Sequence, residues 1–125
     1  MDDEKYFVGE LINLESDLAE KTKFLFEDLM DNSDKRIQLG EFRLAEVNSL
    51  KDKLDLFLKI KPEQQHTELL SLISFWERTF HEMKNVFEEN DSNTSWMSSE
   101  YNNYHAQHVF VDEMIRTYYK SLKDE

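Results

Sequence analysis

Residues 96–122 read WMSSEYNNYHAQHVFVDEMIRTYYKSL, and within them Met97, Tyr101, Tyr104, His108, Val111, Ile115, Tyr118 and Leu122 follow steps of 4-3-4-3-4-3-4. Such steps return a side chain to the same side of an α-helix every turn, so they write one long apolar stripe. The preceding segment repeats the rhythm with Leu69, Ile73, Trp76, Phe80, Met83 and Phe87. Two stripes of this kind, joined by a short polar stretch, predict two helices packed lengthwise and antiparallel.

Two further helices read out to the N-terminal side. The first spans about Asp3 to Met30, with Phe7, Leu11, Leu14, Leu18, Leu25 and Leu29 as its main seam. Val8, Ile12, Ala19, Phe26 and Met30 form a second seam beside it, a wide apolar arc that should meet two neighbours. Asp31-Asn32-Ser33-Asp34 is turn chemistry. The second helix starts between Ser33 and Glu41, because Gly40 weakens its beginning, and ends near Ile60. Ile37, Leu44, Val47, Leu50, Leu54 and Phe57 are its expected buried set. Lys61-Pro62 closes it, since a residue before proline is pushed out of the α region, and Pro62 then opens a third helix that runs to about Asn90. Glu89 to Ser95 is the clearest loop, with Thr94 or Ser95 capping helix four. The expected fold is all-α, a single four-helix up-down-up-down antiparallel bundle over residues 1–125.

Bulk composition narrows the function. Two Gly and one Pro leave little material for the tight turns of a β fold, while nine Phe, five Tyr and two Trp supply large buried areas. Without Cys there is no disulfide framework, thiolate metal site or Cys nucleophile. No apolar run approaches a membrane span and no basic-then-apolar start is present, so a cytoplasmic protein is expected. The formal net charge of -12 disfavours nucleic acid and anionic membranes and favours a basic protein partner. Charge is uneven: residues 1–31 hold ten acids and three bases, whereas 32–61 hold five acids and seven bases.

Two constellations compete for a functional role. On helix one, Asp3, Glu10, Asp17, Glu20, Glu27 and Asp31 fall away from the main seam together with Tyr6 and Phe24. Carboxylates speed encounter with a basic surface and exposed aromatics supply anchoring area after docking. On this reading the chain acts by occupying a basic partner, as immunity proteins, antitoxins and inhibitors of nucleases do, with carboxylates on helices one and three standing in for phosphates. The alternative is a Zn, Fe or Mn site. A turn near residues 92–93 makes facing numbers on helices three and four add to roughly 185, which sets Glu77 opposite His108 and His81 opposite Tyr104 and His105. Asp112 lies one turn beyond, so Glu77, His81, His105, His108 and Asp112 would converge as imidazole and carboxylate ligands.

Other chemistry finds little purchase. Ferritin-like sites use two Glu-x-x-His motifs, and only Glu63 to His66 has that spacing here. His81-Glu82-Met83-Lys84 resembles the His-x-x-Lys of histidine phosphotransfer domains, but Asn85 and Val86 follow in place of the glycine that lets the partner approach. Ser98 and Ser99 sit in no glycine-rich elbow, and no phosphate-cradling glycine loop is present. The sequence leans away from an enzyme. A homo-oligomer, with the stripes packing between chains, is a third reading.

Overall fold

The computed structural model describes residues 3–31, 34–90 and 93–122, with the backbone alone for 34–37. Its elements are α1 (Glu4–Met30), α2 (Asp34–Ile60), a 3₁₀ turn (Pro62–Gln64), α3 (Thr67–Glu89) and α4 (Ser95–Ser121). The chain is an all-α four-helix bundle in which α1–α2, α3–α4 and α1–α4 are the main antiparallel pairs. Asp28 meets Arg43 across α1–α2, the Thr79 hydroxyl lies 2.9 Å from the Glu100 carbonyl across α3–α4, and Phe26 stacks on Tyr101 across α1–α4. Asn32, Ser33 and the side chain of Ile37 lie outside the described residues.

The α3 and α4 stripes form one wall of the core. Leu69, Ile73, Trp76 and Met83 are buried, as are Met97, Tyr101, Tyr104, Val111 and Ile115, while Phe80, Phe87 and Leu122 pack at the margin. Tyr118 departs from the expectation: it lies at the surface beside His66, and its hydroxyl donates to the Glu4 carboxylate of α1. The wide arc of α1 meets three helices instead of two. Beyond α2 and α4 it reaches the diagonal helix, where the indole Nε1 of Trp76 donates to Thr22 Oγ1 at 2.9 Å. Thr22 in turn donates to the Leu18 carbonyl, so the buried indole and hydroxyl are both satisfied.

One boundary is corrected. Pro62 does not open α3: Pro62–Gln64 form a separate 3₁₀ turn, and α3 starts at Thr67. Proline can begin only a right-handed turn whose geometry the following residues continue, and Gln65 breaks it by adopting φ -82, ψ 72. The Gln65 side chain instead donates to the Leu58 carbonyl, capping the end of α2. At α4, Thr94 holds the N-cap position as expected, but its side chain makes no cap hydrogen bond. Asn93 Oδ1 accepts from the Ser95 amide at 3.1 Å. Asn90 ends α3 in the left-handed region, at φ 48, where its short polar side chain is tolerated.

Candidate functional site

The acidic face of α1 is built where α1 and α2 lie side by side. Asp17, Glu20 and Lys21 from α1 and Phe42, Ala45, Glu46, Ser49 and Leu50 from α2 line an open groove of about 640 Å³. Phe42 stands 60% exposed in it, although a phenyl ring gains from burial. Tyr6, Asp17, Glu20, Glu27 and Asp31 are exposed as expected, and Glu10 is half-buried. Phe24 differs. It is half-covered, because the Arg43 guanidinium lies 5.7 Å and the Lys21 ammonium 5.3 Å from its ring centre. Arg43 is held there by Asp28 and Glu46, each at 3.2 Å, so Phe24 is part of the α1–α2 seam. The aromatic that takes its place beside the carboxylates is Phe42.

On α2 the exposed apolar residues continue on one side. Phe42, Ala45, Leu56 and Ile60 share that side with Ser49 and Lys53, and Leu56 and Ile60 are 57% and 64% exposed. This outward row explains why α2 carries only a faint apolar stripe in the sequence. Phe42, Leu56 and Ile60 on the outside blur the Val47, Leu54 and Leu58 seam on the inside.

The five expected metal ligands are not brought together. His108 does not face Glu77 on α3; it faces α1, where its Nδ1 bonds the carboxylate of Glu15. His105, Asp112 and Arg116 follow on the same α1 side of α4, lining a groove with Ser16, Glu20 and Lys23. Asp112 is occupied by the Arg116 Nε at 2.9 and 3.0 Å, and the same guanidinium reaches Ser16 Oγ. Glu77 and His81 belong to the outer side of α3, with Glu77 3.8 Å from Lys51 on α2 and His81 against Asn85. Two separate faces therefore divide the set, and among the described residues no group of three or more His, Asp or Glu side chains is placed to hold a metal ion. The facing rule failed because α4 wedges between α1 and α3. Its half-turn edge carrying 105, 108, 112 and 116 looks toward α1.

Glu15 is the residue that the sequence reading passed over. It is only 2% exposed, among the most buried side chains in the molecule. Burial raises its carboxyl pKa, and the hydrogen bond and charge of His108 pull it back only in part. Burial alone would lower the His108 pKa, but the Glu15 bond and charge outweigh it and the imidazole is raised above its ordinary value. The two groups share one hydrogen bond across the α1–α4 interface. Nearby, burial and the Glu15 charge push the Tyr104 phenol well above its ordinary range. A signal for Glu15 was present: it falls in the row Val8, Ile12, Glu15, Ala19, Thr22, Phe26, at an inward step of the seam.

Comparison with protein-family models, with curated proteins and with solved structures returns no significant match to this chain. Among the described residues, no helix is long and apolar enough to cross a membrane. The functional reading therefore rests on the residues themselves.

Proposed function

We propose that the chain is a protein-binding module that occupies a basic surface of a partner through its α1–α2 face, in the manner of an immunity protein, antitoxin or inhibitor. The observation that carries this reading is the exposed ring of Phe42 set in a groove between Asp17, Glu20 and Glu46. A partner's Lys and Arg side chains would meet the carboxylates, and the exposed ring would be desolvated at the centre of contact. The face is reduced from the one expected: α1 and α3 are diagonal in the bundle, so their outer surfaces point in opposite directions and one cleft cannot engage both. A nuclease or another nucleic-acid-binding protein has the surface such a module fits, because both carry basic clefts for phosphate.

The test is a pull-down from native lysate at low salt, with wild type beside the Asp17→Lys/Glu20→Lys variant. Both positions are exposed, so the variant should keep its helicity by circular dichroism. Wild type should retain a basic protein that a salt step releases, and the variant should lose it. Equal retention by the two proteins would remove this face from the binding site.

A further inference from the structure

We infer that the α1–α2 face receives one amphipathic helix of the partner, basic along one side and apolar along the other; this rests on the protein-binding reading above. The face has the dimensions and periodicity of a helix seat. Phe42, Ala45, Ser49, Leu56 and Ile60 present an outward row at helical spacing, and from Phe42 to Ile60 it extends about 27 Å at 1.5 Å per residue. Side-chain ridges at that spacing are what a second helix packs its own ridges between. Beside the row, Asp17 and Glu20 of α1 and Glu46 of α2 give the groove an acidic margin. Lys21 interrupts that margin but is drawn toward Glu20 at 3.9 Å and over the Phe24 ring, while exposed Lys53 stands in the row itself, four residues after Ser49 and three before Leu56.

The chemistry of the seat selects the occupant. Phe42, Ala45, Leu56 and Ile60 in the row are apolar, with Ser49 and Lys53 between them, so the docking face of the ligand must be mainly apolar. Asp17 and Glu20 stand on the α1 side while Glu46 of α2 is held by Arg43, so the cationic residues must lie on the flank of the ligand that meets α1 and not all round it. That is the pattern of a basic amphipathic helix laid into a groove. An unstructured basic tail would satisfy the carboxylates but leave Phe42, Leu56 and Ile60 wet.

Two peptides of about 18 residues, sized to the row from Phe42 to Ile60, make the test. Both contain the same numbers of Leu and Lys; one is ordered as an amphipathic helix and the other is scrambled to remove the apolar face. Binding to the full chain is followed by calorimetry at low salt. The amphipathic peptide should bind at least about tenfold more tightly than its isomer, as anchoring by a few apolar side chains requires. Phe42→Ala/Leu56→Ala should abolish the difference, and because both side chains are exposed the variant should fold normally. Equal binding of the two peptides would overturn the helix inference while leaving the basic-partner reading standing. Binding of neither would overturn both. Self-association by light scattering that disappears in the Phe42→Ala/Leu56→Ala variant would assign the row to a second copy of the chain and likewise overturn the inference.

Discussion

Burying the Glu15 carboxylate between α1 and α4 carries a desolvation cost that the His108 imidazole offsets through its proton. Removing one partner of such a pair is more harmful than removing both, because it strands the other. His108→Leu should therefore destabilise the fold by about 3 kcal/mol, near the low end for a buried pair since His108 is partly exposed, whereas Glu15→Leu/His108→Leu should cost less than the single change. The sign with pH follows from both pKa values being raised. The His108 contribution is complete below about pH 6.5, its unfolded value, and is lost as pH rises through the folded value. Glu15 acts in the same direction: keeping its raised carboxyl ionised in the fold costs stability as pH climbs past 4.5. Urea denaturation at pH 6 and pH 8.5 should show the wild type losing more stability than the Leu/Leu variant. A wild type that gains stability over that interval relative to the variant would contradict the assignment. The sequence contained the hint, a lone acid at an inward step of α1, but spacing within one helix does not reveal which neighbour supplies the counterpart. His108 was visible on the α4 stripe, and its partner was not.

Among the helices, α3 and α4 were legible because large apolar side chains recur there without interruption, and their buried sets are close to those expected. In α2 the inward and outward apolar rows overlap in sequence, and Lys51 adds a charge to the inward one. Its ammonium is satisfied by Asp55 at 2.7 Å and lies 5.6 Å from the Trp76 ring centre, so it joins α2 to α3 where an apolar residue would be guessed. Gly40 misled in another way. Read as a weak helix start, it lies inside α2 as a contact residue: a Cβ there would come within 2.5 Å of the Phe87 ring. Gly40→Ala gains up to about 1 kcal/mol of helix propensity but forces the ring aside, at a cost of about 1–3 kcal/mol. The net should be a lower denaturation midpoint, and Phe87→Leu in the same chain should recover part of it. A stabilised Gly40→Ala protein would mean that the two helices part there at little cost.

For the molecule as a whole, fold and function separate cleanly. The bundle is stated by periodicity, because burying apolar stripes is a requirement every helix of this composition must meet. The site is not, because an acid on a solvated face costs nothing and serves solubility as readily as recognition. What raises the α1–α2 face above the rest of a chain with net charge -12 is the combination of exposed apolar residues and carboxylates in one groove. Exposed apolar residues also stand at Trp96, Val109 and Phe110 on α4, on another side of the bundle. Amide chemical-shift mapping of the isotopically labelled chain, titrated with the amphipathic Leu/Lys peptide, decides between the sides. Changes concentrated at residues 17–21 on α1 and 42–56 on α2, with α4 around Val109 and Phe110 silent, are the predicted result. Changes centred on α4 with the α1–α2 groove unaffected would contradict it.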